Sequence, residues 1–569
     1  MSARPTPPAR PSEPVPPARP SPSAPPAPSA LPDRRRRFYV TTSIPYVNAD
    51  PHLGFALELV QADVLARHRR LRGDQVRFQS GTDDNALKNV QAAERAGVPT
   101  QDFVDAHAAA FERQREVLDL TYDDFLRTSR DPRHRPGAER LWRACADAGD
   151  LYRTHYEGLY CVGCEQFYAE AELVGGLCPQ HETRPQPVSE ENWFFRLSRY
   201  RQQLLDLYAS GRLRIEPAVR ANEVRAFVEA GLADFSISRS VGRARGWGVP
   251  VPGDPSQVMY VWWDALGNYV TGLDYGDGPD VPAFRTWWRG EDAADARRVH
   301  VIGKDILRFH AIYWPAMLLS AGLPLPTEIL VHDFLTANGR KLSKSLGTVV
   351  DPVKLTEEYG TDALRWWLTA RVPKVGDTDF TVDRLVDVAN QDLAGGIGNL
   401  TQRVVSMVHR YRAGVVPVAS AASGASGASG ASGVREDSAG TALLGEANAL
   451  PGRIDEALAA FDLRAATRAV REVIAQANRY VEDTAPWTLA RAERAGDRDA
   501  GRRLGVVLGV LTATVRAIGA ELAPFVPTLA ERVLTQAGSG VPGERLPDPE
   551  AVFPRLEVRP EVWKEVPAR

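Results

Sequence analysis

Cys161-x2-Cys164 and Cys178-x2-His181 stand thirteen residues apart, and three thiols with an imidazole at this spacing make two knuckles around a short hairpin. A closed tetrahedral zinc site asks for such a set, and its soft and imidazole donors favour zinc over harder cations. With all four positions supplied by the chain, the metal is expected to be structural; a disulfide or buried thiols is the competing reading. Cys145, in "ERLWRACADAG", reads as a small core residue.

A second constellation suits phosphate. His52-Leu53-Gly54-Phe55 follows a β-branched run and Pro51, and it opens an apolar-periodic helix. Backbone N–H groups and the helix dipole at such a start attract anions, and Gly54 permits close approach of a ligand. The pentapeptide Lys341-Leu-Ser-Lys344-Ser, flanked by Gly339 and Gly347, adds two ammonium groups three residues apart on a segment able to move. Only 7 of the 69 basic residues are lysines, so two in one pentapeptide point to a site that wants a compact point charge rather than a planar guanidinium. Read singly, a structural histidine and a solvated Lys-Ser loop compete with these readings.

These groups need a scaffold to bring them together. "FYVTTSI" reads as a strand, "FALELVQADVLARHRRLRG" as a helix ended at Gly73, and "QVRFQSGTDDN" as a strand opening into a loop. The grammar returns in "RVHVIGKDI", a strand, "LRFHAIYWPAMLLSAG", a helix, and "EILVHDFLTANGRKLSKS", a strand with a long polar loop. Two such βαβ units predict a Rossmann-like α/β fold, a doubly wound parallel sheet whose ligands sit at the carboxyl ends of the strands. The boundaries expected are a disordered Pro/Arg-rich tail (1–36), a first half of the nucleotide domain (37–150), an insertion with the zinc knuckle (151–245), a second half (246–335), the lysine loop with a connecting region (336–385), and an all-α bundle (386–560) carrying a flexible Gly/Ala/Ser insert near 419–436. The first 33 residues hold 13 prolines and too little apolar surface to pack.

Composition constrains the rest. At 569 residues and 44% hydrophobic content the chain can build several cores. A net charge of −3 and a pI near 6.4 give no global reason to expect a nucleic-acid or membrane partner. Four cysteines, no charged-then-apolar leader and no apolar run near twenty residues suggest a reduced cytoplasmic protein with no membrane partner.

An H-x-G turn after the first strand of such a sheet, with K-L-S-K-S after its last half, resembles the class I aminoacyl-tRNA synthetases, whose motifs are written HIGH and KMSKS. The resemblance narrows to the methionyl-tRNA synthetases through "TTSIPYVNADPHLG", "SGTDDN", "YCVGCEQFY", "LCPQH", "ENWFFRLSRY", "VMYVWWDALGNY", "HVIGKDILRFHAIYWPAML", "FLTANGRKLSKSLG", "DLAGGIGNLTQR" and "VEDTAPW", from about Phe38 to about Pro527. It implies a methionine pocket of Ile44, Tyr46, Asp83, Trp262, Tyr269 and His310, with Asp83 pairing the substrate ammonium and the aromatics enclosing the thioether. It further implies ATP held by His52, Gly54, Gly303, Asp305, Lys341 and Lys344, with His52 and the two lysines serving catalysis. In the helical part it implies that Asn399, Arg403 and Trp487 read a tRNA(Met) anticodon by hydrogen bonding and stacking, which needs no net basic surface. Structural Zn²⁺ on Cys161, Cys164, Cys178 and His181, and Mg²⁺ arriving with ATP, complete the expectation. The chain is expected to work as a monomer.

The chain departs from the family pattern at Phe55, where a second histidine stands, and at Asn85 and Ala86, where His and Gly are common. Phe55 cannot donate to a phosphate, and losing a hydrogen bond to a charged group costs about 1.5–3 kcal/mol, roughly ten- to a hundredfold in rate. Asn85 supplying a donor is one compensation. The leading expectation is an active methionine–tRNA ligase whose altered pocket tolerates an inhibitor. The alternatives are a paralogue adenylating methionine or a related amino acid for a non-tRNA acceptor, and a catalytically silent tRNA-binding regulator.

Overall fold

The computed structural model describes residues 36–163, 166–168, 170–179, 182–289, 296–337, 339–342, 350–417 and 437–559. Lys344, Cys164 and His181, together with the Pro/Arg tail up to Arg35 and the Gly/Ala/Ser insert, lie outside them. Six strands form the central sheet: β1 (Arg37–Thr42), β2 (Gln75–Thr82), β3 (Asp124–Arg127), β4 (Arg214–Glu216), β5 (Ala296–Gly303) and β6 (Glu328–His332). Every residue of β1 after Arg37 is buried, as the β-branched and aromatic sequence RFYVTT requires of a strand covered on both faces. The order is β3-β2-β1-β5-β6-β4 and every pairing is parallel. Strand order reverses between β1 and β5, so the crevice beyond their carboxyl ends is where the topology places a ligand.

The two βαβ units read from the sequence are both present. In the first, helix α1 (Leu53–Leu71) leads from β1 to β2. In the second, the single helix expected from 307 to 322 is instead a π-helical turn at Phe309–Tyr313 followed by an α-helix at Trp314–Ser320. Pro315 explains the break: it has no N–H, and its ring crowds the carbonyl one turn back. That carbonyl, of Ala311, accepts a hydrogen bond from the Tyr208 hydroxyl at 2.6 Å instead. One boundary also needs correction. β4 falls within the stretch expected to be inserted (151–245), yet it pairs with β6 and completes the sheet.

The knuckle sits on a long antiparallel arm. Strands Leu151–Cys161 and Gln186–Phe195 pair along ten residues, flanked by Gln166–Tyr168 and Phe235–Ser236. Helices follow from Val382: α2 (Asn399–Arg412), α3 (Ser438–Ala459), α4 (Leu463–Thr484), α5 (Pro486–Arg494), α6 (Arg498–Leu522) and α7 (Pro527–Ala537). The sequence reading found no apolar run near twenty residues, but α6 is long and apolar enough by length and composition to cross a membrane. Its apolar residues Leu504, Leu508, Leu511, Val515 and Leu522 are all buried in the bundle, so its composition is that of a core helix.

α1 spans the distance between the crevice and this bundle. At its far end His68 Nε2 meets Asp455 Oδ1 at 2.7 Å, and Arg72 pairs with Asp455 at 2.6 Å and Glu521 at 2.7 Å. Midway, buried Asp63 pairs with the fully buried Arg365 at 2.8 Å, and Arg365 also donates to the carbonyls of Leu118, Pro524 and Phe525. Burial pushes the Asp63 carboxyl up, but Arg365 and Arg67 outweigh it and hold it below the usual range. A charge buried this deeply persists because it is paired.

Candidate active site

His52 closes the amino end of α1 with its own ring. Its Nδ1 accepts from the Gly54 N–H at 3.0 Å, which fixes the ring proton on Nε2 and makes that nitrogen a donor. A Cβ at Gly54 would lie 2.9 Å from His52 Cε1 and 3.0 Å from Nδ1, so glycine makes room for the histidine ring.

Phe55 turns the other way. Its ring is 8% exposed and meets Phe111 edge-on at 5.4 Å within the core around α1. It does not share a ligand-facing surface with His52, so the position carries packing rather than a vacant donor. Asn85 donates one amide N–H to Asp264 Oδ2 at 2.6 Å.

The lysine loop is tied to this turn at its end. Arg340–Lys341 pairs antiparallel with Thr336 and Ala337, and where the described chain resumes, the Val350 carbonyl accepts the Leu53 N–H at 2.9 Å. The described end of the loop at Val350 therefore lies at the start of α1. Gly303 ends β5, and a Cβ on it would come within 2.9 Å of Asp305 Oδ1 and 3.6 Å of His332 Cε1.

The six residues expected to take an amino acid lie together at the mouth of the crevice. Tyr46 bridges to Asp83 in parallel fashion, and the Asp83 N–H binds the Pro45 carbonyl at 2.9 Å, fixing the buried carboxylate beside half-buried Ile44 and Tyr46. Tyr46 meets Trp262 edge-on at 6.3 Å, and Trp262 stacks on Phe309 at 3.7 Å and lies edge-on to His310 at 6.5 Å. The Trp262 indole N–H is buried with no acceptor among the described residues.

Hydrogen bonds determine the protons of the Tyr269–His310 pair. His310 Nδ1 donates to the Ile306 carbonyl at 3.0 Å, so its Nε2 accepts from the Tyr269 hydroxyl at 2.7 Å. Burial lowers the His310 imidazole to about 4 and raises the Tyr269 phenol well above its ordinary value, so both are neutral. Behind them His300, also held neutral by burial, contacts the Thr41 hydroxyl at 2.7 Å and accepts from Trp314 at 3.2 Å. The result is an aromatic pocket with one buried carboxylate at its rim.

Sequence reading missed Glu58, His300, Lys88 and His332. Lys88 Nζ donates to the Gly163 carbonyl at 2.7 Å and lies 4.8 Å over the Tyr46 ring, joining the arm to the pocket. Glu58, an acid within an apolar helical stretch, was the one with a visible signal.

Elsewhere, Cys161 and Cys178 are buried in one cluster with Tyr168; the Cys161 thiol lies 3.7 Å from Thr183 Oγ1 and the Cys178 thiol 3.5 Å from the Tyr168 hydroxyl. Among the described residues no group of three metal-ligating side chains forms, and the other two expected ligands lie outside them. On the bundle, Asn399 starts α2 exposed, Arg403 one turn on pairs with Glu482 at 2.7 Å, and Trp487 on α5 is 42% exposed. Asn399 also borders a cavity of about 580 Å³ with Asn390, Gln391 and Gln402.

Residues 38–187 and 180–405 match the family described as tRNA synthetases class I (M), and residues 429–551 match the anticodon binding domain of methionyl tRNA ligase. The methionine–tRNA ligase of Brucella suis is 39% identical over 540 residues, covering 92% of this chain and 98% of its own. That of Mycobacterium tuberculosis is 39% identical over 538 residues, covering 91% and 98%. A solved structure of the M. tuberculosis methionyl-tRNA synthetase in complex with methionyl-adenylate superposes with a TM-score of 0.82 at 39% identity, covering 91% of this chain and 100% of that one.

Proposed function

The chain belongs to the methionyl class I tRNA synthetase family, and we infer from that premise that it ligates methionine to tRNA(Met) at the expense of ATP through a methionyl-adenylate. The observation that carries the reading is the cluster of aromatic rings, Tyr46, Trp262, Tyr269 and His310, with the buried Asp83 carboxylate beside Tyr46. Such a pocket accepts a flexible, polarisable, uncharged side chain and pairs an α-ammonium.

In the first step a methionine carboxylate oxygen attacks the α-phosphorus of ATP, the bond to the β-phosphate oxygen breaks, and pyrophosphate leaves. Asp83 and Ile44 hold the amino acid while the ring pocket excludes water. His52 donates from Nε2 to a phosphate oxygen, Gly303 and Asp305 border the nucleoside, and Lys341 and Lys344 offset the charge that gathers on the leaving group. Positioning and electrostatics supply most of the rate in a displacement of this type. Mg²⁺ bound with the nucleotide neutralises part of the triphosphate charge. In the second step a hydroxyl of the tRNA 3′-terminal ribose attacks the methionyl carbonyl, and AMP leaves with the phosphoanhydride oxygen.

Asn399, Arg403 and Trp487 are the proposed anticodon readers, with Trp487 offering an exposed ring for a base. Cys161, Cys164, Cys178 and His181 are the proposed structural zinc ligands; the burial of Cys161 and Cys178 in one cluster supports that donor set. Zinc supplies a cross-link at the tip of the arm when bound. A monomer is the working unit proposed, and we place it in the cytoplasm with the translation machinery.

ATP–pyrophosphate exchange with each of the twenty amino acids, followed by charging of initiator and elongator methionine tRNAs, tests the reading. Exchange with methionine alone and charging of both tRNAs are expected. No exchange with methionine refutes it, and exchange without charging points to another acceptor.

A further inference from the structure

The crevice contains a buried acid and a buried base that the reaction as described does not use. Glu58 lies on α1, six residues past His52, and its Oε1 accepts from both the N–H and the hydroxyl of Ser43 at 2.6 Å. The Ser43 N–H also reaches the Val301 carbonyl of β5 at 3.2 Å, so Glu58 stands where β1 and β5 part. Its other oxygen lies 3.1 Å from Nε2 of His332, the last residue of β6. The two side chains are 5% and 9% exposed.

The second ring nitrogen decides what lies between them. His332 Nδ1 faces the Asp333 carbonyl at 2.9 Å, and a carbonyl only accepts, so Nδ1 carries a proton. Without a further proton, the Nε2 lone pair and a carboxylate oxygen would face each other at contact distance. One proton must therefore sit between Nε2 and Oε2. The other charges near His332 are Asp305, after β5, and Asp333, whose own carboxylate is paired with Arg220 and lies 4.0 Å from Lys304. Burial alone pulls His332 down, but Glu58 outweighs it and the imidazole is held above its usual value.

The pair links the strand that leads into the lysine loop to the helix whose first turn binds the loop's described end. From His332 the chain runs through Leu335–Ala337 to Arg340–Lys341, and where it resumes Val350 is bound to Leu53 on α1. We propose that Glu58 and His332 are positioning residues that share one proton across the crevice, and that this proton holds the strand end bearing the lysine loop against the start of α1 while adenylate forms. Loss of the proton sets like lone pairs against each other, and the loop's base separates from α1. The inference rests on the adenylate-forming reading above.

Glu58→Gln tests it without removing contacts. Its carbonyl oxygen can still accept from Ser43, and its amide N–H can donate to neutral His332 Nε2, so the link no longer needs a titrating proton. Exchange kinetics between pH 6 and 9.5, with thermal melts at each pH, are the readouts. In the unmodified chain kcat should fall on the alkaline side, by about tenfold per pH unit once the shared proton is gone, while the methionine KM stays level. Glu58→Gln should keep the neutral-pH rate and lack that alkaline limb. His332→Ala should be slow at every pH with methionine KM within about twofold of the unmodified value. Because a raised histidine stabilises the fold below its unfolded value and loses that contribution as pH rises through the folded one, the unmodified chain should also lose melting temperature relative to Glu58→Gln over the same range. An alkaline limb unchanged in Glu58→Gln, or no limb in the unmodified chain up to pH 9.5, overturns the proposal. The melts do not depend on turnover, so an absent difference there condemns the shared proton, whereas absent exchange at every pH condemns the catalytic reading instead.

Discussion

The proposed methionine pocket and the proposed anticodon face use similar side chains, aromatic rings with a hydrogen-bonding group and a charge, yet they treat them in opposite ways. In the pocket Tyr269 and His310 are almost fully buried, the Tyr269 hydroxyl donates to His310 Nε2, and His310 Nδ1 donates to the Ile306 carbonyl. On the bundle Trp487 is 42% exposed and Arg403 is engaged only by a solvent-exposed glutamate, which it can exchange for a ligand. A small apolar substrate offers one functional distinction, shape and softness, and a preorganised cavity reads it best. A single-stranded loop brings its own bases, and an exposed ring with mobile polar groups can adapt to them. The comparison teaches that burial in this molecule follows what is to be recognised.

Substitutions test that contrast. The largest effect is expected at the pocket rim: Asp83→Asn should cost on the order of 10²- to 10³-fold in kcat/KM for methionine exchange, since it removes a buried charge from an ammonium. Tyr269→Phe, which leaves His310 Nε2 without its donor, should cost about 1–3 kcal/mol, read as a roughly five- to 150-fold rise in methionine KM with kcat for exchange changed less. Phe55→His should act on stability, not on the site, because it buries an imidazole against Phe111; a loss of about 1–3 kcal/mol by denaturant titration is expected, with no gain in turnover. The smallest effect is a pH signature. His310, held at about 4 by burial, lies below its unfolded value, so the unfolded chain takes up a proton first and stability drops as pH falls from about 6.5 towards 4. Methionine KM should meanwhile show no inflection near pH 6.5.

How far these regions could be read from the chain differs for physical reasons. The two βαβ units were legible because β-branched strands and a 3.6-period helix leave strong patterns in sequence. β4 was not, being three residues long and set inside an insertion. The break at Phe309–Tyr313 had a sign in Pro315, but nothing local says that the freed carbonyl would find Tyr208, about a hundred residues away. Of the site, Tyr46, Asp83, Trp262, Tyr269 and His310 are neighbours through ring contacts and hydrogen bonds, while the residues proposed for the anticodon and for zinc stand on the bundle and the arm. Their inner support was hidden: the partners of His310 and His332 come from separate elements, so their proton positions follow from tertiary contact alone. Phe55 shows the opposite limit. The sequence made it a missing donor, and only packing reveals a ring turned into the core.

Parallel assays of exchange and tRNA charging on Trp487→Ala test most directly whether the two regions do separate work. The account predicts methionine exchange within about twofold of the unmodified chain and tRNA charging lowered by about ten- to a hundredfold, as loss of one base stack implies. An equal fall in both activities would contradict it.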